Sequence, residues 1–397
     1  MLDETYRKAG KMDSECFASR LDPFNTDLQN IVRGYLLEGL ESDRRMKAEL
    51  YKLNIYSKYL IFVHPYLVLC CCLGSGSFFK PHVDTPRSEN MFGSLVVVFP
   101  TPHEGGALSL RHHGHEWTFD SGKALAAVDQ LTIGYVAFFN DIEHEVAPVT
   151  SGHRITLTYN LYFDDGERPV SENDAVSTRH LIPPELQLLH QKGFRNGFKA
   201  LLENPEFMAD GGTLGFGLRH VYPIKGSLKN VYNVLKGGDA VVFESMRALG
   251  FDPVLYLYYD EGQCDGYGED SSSPSQGAMV DTVVKFCDCY EDLTVLEIVQ
   301  ASGGIPVRQD GGEEKDSYDV TERELVEWVS PLMAYNCRKD ALAKFEFEVS
   351  LNWAYGDVCM IVRIGRAGDR WAFPTADQVK TEHKKRWRRE HEGGYYY

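Results

Sequence analysis

Phe78-Phe79-Lys80-Pro81-His82-Val83-Asp84-Thr85-Pro86 is the stretch whose reading decides what kind of domain this chain holds. An extended strand sends alternate side chains to opposite faces, so His82 and Asp84, two positions apart, project from the same side. One imidazole and one carboxylate on one face are two parts of a 2-His-1-carboxylate triad, the set that holds non-haem Fe(II) and leaves coordination positions open. The third ligand has to come from a distant strand. His144, in Phe138-Phe139-Asn140-Asp141-Ile142-Glu143-His144-Glu145-Val146, is the candidate. An H-x-D alone arises by chance, and its weight comes from its neighbours along the chain.

Those neighbours are strand-like. Tyr51 to Ser57, Phe78 to Asp84, Gly93 to Pro100, Gly106 to His112, His115 to Ser121, Leu131 to Asn140, His144 to Val149 and Arg154 to Phe163 are rich in Val, Phe, Tyr, Thr and Leu, and Gly, Pro and Asp divide them. Short strands packed this densely, with no helix-length pattern among them, predict a sandwich or barrel such as a jelly roll. Ligands from different strands can converge at its mouth. Upstream, Leu28, Ile31, Val32, Tyr35, Leu36 and Leu40 recur at helical spacing, predicting an amphipathic helix from about Asp27 to Leu53 with Asn25 or Thr26 as its cap.

After Asp164-Asp165-Gly166-Glu167-Arg168-Pro169 the texture changes. Pro183 to Met208 and Gly238 to Leu249 have helical patterns. Asp252 to Tyr259, Thr282 to Cys287 and Val358 to Ile364 have strand patterns, and Asp260 to Gln276 and Gly303 to Ser317 are aperiodic loops. The expected organisation is a helical support over 1–50, a mostly β catalytic domain over 51–165, an α+β region of unassigned role over 170–375, and a basic, tyrosine-ended tail over 376–397. In that tail Lys384-Lys385-Arg386-Trp387-Arg388-Arg389 has the composition of a nuclear address or a nucleic-acid patch, but a solvated helix end is the commoner meaning of such a run.

Composition sets the outer bounds. The 397 residues are 43% hydrophobic and 25% charged, enough to bury sizeable cores. A net charge of −17 disfavours general binding to nucleic acid or anionic membrane. Nine scattered cysteines do not form a disulfide framework in a chain this long, which points to a reducing compartment. The start lacks the basic-then-apolar pattern of a secretory signal, and the apolar run Tyr59 to Leu73 is shorter than a membrane-spanning helix needs. The expectation is a soluble intracellular protein, cytoplasmic, nuclear or both. Nothing in the sequence sets its oligomeric state.

An Fe(II) site that uses dioxygen needs an electron source, and 2-oxoglutarate provides one by chelating the metal through its C1 carboxylate and keto oxygen. Its C5 carboxylate then requires a rigid cation about a strand length away. Arg154, in Gly152-His153-Arg154-Ile155-Thr156-Leu157-Thr158-Tyr159, supplies a planar fork that matches a carboxylate and a charge that survives burial. Thr156 shares its strand face and offers a second hydrogen bond, whereas His153, Ile155, Leu157 and Tyr159 point the other way.

His82-x-Asp84, His144 and Arg154-x-Thr156 together resemble the iron- and 2-oxoglutarate-dependent dioxygenases, in particular the prolyl 4-hydroxylase type of catalytic domain. The Glu104-Gly105-Gly106-Ala107-Leu108 turn and Phe138-Phe139-Asn140-Asp141 extend the likeness, which covers about residues 51–163. The resemblance implies a double-stranded β-helix and Fe(II) held by His82, Asp84 and His144. It also implies oxidative decarboxylation of 2-oxoglutarate coupled to hydroxylation, with release of succinate and CO2 and with ascorbate as a candidate auxiliary reductant. A protein or peptide side chain is the leading substrate class it suggests, and a small molecule stays open. It further suggests Tyr56 as a hydroxyl near the cosubstrate. A catalytically impaired binding or scaffold protein built on the same barrel is the alternative.

The sequence departs from the family pattern at Tyr59 to Ser75, which includes Leu67-Val68-Leu69-Cys70-Cys71-Cys72-Leu73 and stands where a short turn is expected. A lid, a partner-docking or membrane-touching loop and a translated intron are the three explanations, and the abrupt change of composition favours the intron. Four other features carry less. His112-His113-Gly114-His115 falls at a hairpin turn, and His103 beside Pro102 is expected in a loop. Cys287-Asp288-Cys289 lacks a second pair for zinc, and Gly211 to Gly217 lacks the frame of a phosphate loop.

Overall fold

The computed structural model describes residues 6–23, 26–37, 45–57, 76–164, 189–224, 227–260, 276–286, 294–308, 323–333, 336–345 and 349–391. The stretch 59–75, most of both expected acidic loops, the C-x-C pair and the tyrosine end lie outside these residues. The chain divides into two compact units, Met1–Gln187 and Leu188–Tyr397.

The first unit is a pair of sheets. Its elements are β1 (Arg7–Lys8), β2 (Gly10–Asp13), α1 (Leu28–Leu36), β3 (Arg45–Ser57), β4 (Phe78–His82), β5 (Met91–Val98), β6 (His103–Gly105), β7 (Leu108–His112), β8 (His115–Phe119), α2 (Ser121–Ala126), β9 (Gly134–Phe139), β10 (Glu143–Val146) and β11 (Val149–Asp164). One sheet has the order β1-β4-β10-β7-β8, and the other β2-β3-β11-β5-β9 with β6 on the start of β11. Leu108 and Val146 from the first sheet cluster with Tyr56 and Phe138 from the second, so apolar inner faces close on one another as alternation along each strand requires. Mostly β architecture of this kind is what the dense strand pattern predicts.

The N-terminal region differs from expectation. The helix predicted from Asp27 to Leu53 ends at Leu36, and residues 45–57 form β3. The reason is periodicity: buried Met46 and Ala48 alternate with exposed Lys47 and Glu49, a strand repeat that leucines spaced for a helix obscured. The expected helical support over 1–50 is therefore, within the described residues, two short strands, a short 3-10 turn (Ser14–Cys16), one α-helix and the first part of β3. A second short helix, α2, interrupts the β run where Asp120 accepts the Lys123 backbone N–H at 3.1 Å. His103 sits in β6 and is buried, not in an exposed loop. The cluster His112 to His115 closes the β7–β8 hairpin, with His113 and Gly114 both at positive φ as a tight two-residue turn demands.

The second unit is α+β. It contains α3 (Leu189–Glu203), β12 (Gly212–Gly217), α4 (Lys229–Tyr232), α5 (Gly237–Ala248), β13 (Val254–Asp260), β14 (Gln276–Val280), α6 (Val295–Ala301), β15 (Ile305–Arg308), β16 (Glu324–Ser330), β17 (Cys337–Phe345), β18 (Val349–Ile364) and α7 (Ala376–His391). The strand order β12-β16-β15-β14-β13-β18 closes on itself because β12 also pairs with β18, while β17 extends from the first part of β18. Tyr256, Tyr258, Met279, Ile305, Val307, Val326, Cys359 and Ile361 form its core. Gly211 to Gly217 thus leads into a barrel strand, not a phosphate loop. The strand expected over Thr282 to Cys287 falls earlier, at β14, where every residue from Gly277 to Val280 is buried. The basic run lies in α7, which docks through Val379 and the Lys380–Asp281 ion pair. No helix among the described residues is long and apolar enough to cross a membrane.

Candidate functional site

In the first unit, β4 and β10 pair antiparallel with His82 directly opposite His144. Asp84 follows just after β4 ends, so the two-residue spacing still directs it toward the histidines. One ligand atom from each of His82, Asp84 and His144 lies within 4.8 Å of the other two. His144 Nε2 lies 3.8 Å from Asp84 Oδ1.

Surrounding atoms orient all three. His82 Nδ1 is 2.8 Å from the Lys80 carbonyl and His144 Nδ1 is 3.0 Å from the Ile142 carbonyl. Carbonyls only accept, so both Nδ1 atoms carry the proton and both Nε2 lone pairs are left for a cation. Ser94 Oγ, on β5, donates to Asp84 Oδ2 at 2.6 Å and leaves Oδ1 facing the histidines. Phe79 stacks on His82 at 3.6 Å between ring centres, and Phe138 lies 4.7 Å from His144. Burial, then the neighbouring His144, pushes His82 down to about 4, so its imidazole is neutral at physiological pH. Two imidazoles presenting Nε2 and one oriented carboxylate make an N,N,O donor set suited to a divalent transition metal.

The same cleft, 410 Å³ in volume, reaches Arg154, Thr156 and Tyr56. Arg154 is 1% exposed, and none of its nitrogens meets a described carboxylate. Its Nε donates to Ser121 Oγ at 3.4 Å, while its buried Nη2 has no hydrogen-bond partner. Burial lowers its pKa, with Tyr56 opposing the shift from 5.4 Å beneath the guanidinium. A chain of donors fixes this arginine from behind. His103 Nδ1 lies 2.7 Å from the Thr101 carbonyl and is therefore protonated, which makes Nε2 an acceptor for the Ser121 hydroxyl at 2.9 Å. The Ser121 oxygen is then free to receive Arg154. Gly106, at φ +67°, packs so close that a Cβ there would lie 2.9 Å from Arg154 Cδ. Thr156, buried beside Arg154, pairs in register with Asn54, and Arg154 with Tyr56.

A buried guanidinium with an unsatisfied fork is unfavourable unless an anion completes it. Arg154, which lines the cleft with a buried, unpartnered Nη2, therefore fits a carboxylate ligand, as the donor set fits a metal. Every candidate residue named from the sequence lines this one cleft. Ser94, Ser121, His103 and the aromatic brackets Phe79 and Phe138 were not foreseen. They come from other strands and carry no local motif, although a small hydroxyl in the otherwise apolar β5 was a visible irregularity.

Residues 66–162 match the family described as the 2OG-Fe(II) oxygenase superfamily. No curated protein matches the chain. Among solved structures, an oxidoreductase of the 2OG-Fe(II) oxygenase family from Burkholderia pseudomallei is 15% identical, covering 29% of this chain and 44% of its own, with a TM-score of 0.20. The match thus spans less than half of that relative's length. A Pseudomonas putida prolyl-4-hydroxylase is 14% identical over 40% of this chain and 95% of its own, with a TM-score of 0.18. The matched segment, about a quarter of the chain, holds His82, Asp84, His144, Arg154 and Thr156, and in it the chain is similar to the 2OG-Fe(II) oxygenase superfamily.

Proposed function

We propose that the first unit is a double-stranded β-helix dioxygenase that consumes 2-oxoglutarate and hydroxylates a peptide or protein side chain, releasing succinate and CO2. The observation that carries this is the convergence of His82, Asp84 and His144 in one cleft with a buried arginine whose Nη2 has no partner. His82 Nε2, Asp84 Oδ1 and His144 Nε2 would hold Fe(II), and Arg154 with Thr156 would hold the C5 carboxylate of 2-oxoglutarate. Bound Fe(II) supplies dioxygen activation, with 2-oxoglutarate as the two-electron reductant.

The chain's own residues set the conditions for that chemistry. Ser94 keeps Asp84 from rotating, and the Lys80 and Ile142 carbonyls hold both imidazoles in the Nε2-ligating tautomer. Phe79, Phe138, Leu108 and Val146 wall the site with apolar surface and limit water near the metal. Arg154 acts from a dry environment, where a charge-assisted contact to a carboxylate is strong. Tyr56, cross-strand from Arg154, adds its ring under the guanidinium.

Purified protein supplied with Fe(II), ascorbate and 2-oxoglutarate is expected to release succinate slowly even without substrate, and His82→Ala to abolish the release. Absence of both iron binding and succinate release in the wild-type protein would refute this function.

A further inference from the structure

The cleft has a second cationic end. On β11, Arg154, Thr156, Thr158 and Asn160 share the face that lines it, and on β3 so do Tyr56, Asn54 and Lys52. The register pairs Tyr56 with Arg154, Asn54 with Thr156 and Lys52 with Thr158. With a strand rise of about 3.3 Å per residue, Lys52 lies roughly 13 Å along β3 from Tyr56. Arg87, three residues past Asp84 in the segment after β4, reaches the same end. Lys52 Nζ and Arg87 Nη2 each approach the Tyr51 hydroxyl to 2.5 Å, and Arg87 lies 4.2 Å above the Tyr51 ring. Burial raises the Tyr51 phenol, but the two cations outweigh it and leave the group below its usual value.

Neither Lys52 nor Arg87 is ion-paired to a described carboxylate, and Asp84 is the one acidic side chain among the described residues lining the cleft. Arg7, over the face of Phe79 at 4.7 Å, adds a cation along the way. On a chain of net charge −17, unpaired cations gathered at one cleft are not an average sample of its surface.

We infer that Lys52 and Arg87 are specificity determinants that select a peptide segment with carboxylate side chains flanking the residue to be oxidised. The inference rests on the oxygenase function proposed above. A peptide fits better than a small anion because the two cationic ends differ in kind. Arg154 is enclosed and serves one compact carboxylate, whereas Arg87 is exposed and Lys52 half-buried. The exposed ring of Tyr6 lines the same cleft and packs edge-on against Phe79 at 5.6 Å, giving an extended chain an aromatic surface as well as the cations.

The test uses the full chain loaded with Mn(II) and 2-oxoglutarate, and reads fluorescence anisotropy of labelled peptides that share a central proline flanked by glutamate, glutamine or lysine. The glutamate peptide is expected to bind at least about tenfold tighter than the glutamine peptide at low ionic strength, despite the acidic chain, and the gap to shrink as salt rises. Lys52→Glu with Arg87→Glu is expected to invert the order so that the lysine peptide binds best, and the milder Arg87→Gln to cut the preference severalfold. Equal binding of the glutamate and glutamine peptides, no binding of any, or an order that survives the charge reversal would overturn the inference. Free glutarate competing as effectively as the glutamate peptide would replace the peptide with a small anion and overturn it as well. Calorimetric binding of 2-oxoglutarate to the wild-type protein reads the oxygenase function alone. Failure there sinks that function, whereas 2-oxoglutarate binding without an acidic preference sinks only this inference.

Discussion

Arg154→Met separates a structural arginine from a ligand-binding one, because the two roles predict opposite signs. Arg154 is 1% exposed, meets no described carboxylate, and is supported by one long hydrogen bond of 3.4 Å to Ser121 and by Tyr56 at 5.4 Å. The aromatic contact returns about 0.5–2 kcal/mol, less than the several kcal/mol lost on desolvating an unpaired cation. An apolar side chain of similar length is therefore expected to stabilise the unliganded fold, by about 1–3 kcal/mol in urea unfolding. The same change removes the partner of a buried carboxylate, a loss of about 2–5 kcal/mol, or roughly 30-fold to a few thousandfold in 2-oxoglutarate affinity. Calorimetry with Mn(II) present reads that affinity, and thermal unfolding gives an independent measure. At ligand near 100 times its Kd the wild-type protein gains about 2.7 kcal/mol, and the variant gains at most about 0.9 kcal/mol at the same concentration. A variant that is destabilised by several kcal/mol yet binds 2-oxoglutarate as the wild type does would refute the reasoning, leaving Arg154 as a packing residue.

Three further outcomes follow from single contacts. Ser94→Ala frees Asp84 Oδ2, now held at 2.6 Å, and is expected to weaken Mn(II) binding about 10–100-fold in equilibrium dialysis; unchanged binding would remove Ser94 from the support of the site. Gly106→Ala sets a Cβ 2.8 Å from Val149 Cγ2 and 2.9 Å from Arg154 Cδ in a left-handed conformation, so it is expected to destabilise the unit by at least about 1–2 kcal/mol and to weaken 2-oxoglutarate binding with it. In the second unit, burial raises Asp357 to about 6, so the folded state holds its proton more tightly than the unfolded state. Stability from this group is complete below the unfolded value and is lost as pH rises through about 6, so Asp357→Asn is expected to gain about 1–2 kcal/mol at neutral pH and nothing near pH 4, read by urea unfolding at both.

The parts of the site that were legible are those set by alternation along one strand. Arg154 and Thr156 share a face of β11 because they are two residues apart, and the same spacing brings Asp84 beside His82 although Asp84 lies just past the end of β4. His144 required more: the sequence offers it as a histidine on a distant strand-like segment, and only the structure shows β10 lying against β4. Ser94, Ser121 and His103 were illegible because their roles exist only once sheets and loops are in place. Ser94 meets Asp84 from another strand, and His103 reaches Arg154 only through Ser121 on α2. The misassigned helix has a local cause. Between Leu36 and Leu53 the leucines satisfy a helical repeat while Met46 to Glu49 satisfy a strand repeat, and pairing with β11 along the whole of β3 decides for the strand. In the second unit the closing contact between β12 and β18 joins segments more than a hundred residues apart, and β12 and β15 each run parallel to β16, so no hairpin signal announces the ring.

That same β3–β11 pairing keeps the two cationic ends of the cleft apart. Its register fixes the Arg154 end and the Lys52 end at a set spacing, and the strands between present Asn54, Thr156 and Thr158, which are polar but uncharged. Asn54 donates to Thr158 Oγ1 at 3.0 Å and accepts from Arg7, so this middle section is tied up within the protein and offers neither anion a competing charge. A dicarboxylate entering the cleft finds a dry, enclosed fork at one end and a wet, exposed pair of cations at the other. Because Coulomb attraction strengthens as water is excluded, the enclosed end is the tighter for a single carboxylate. The exposed end gains only when several weak contacts act together, as an extended chain would supply.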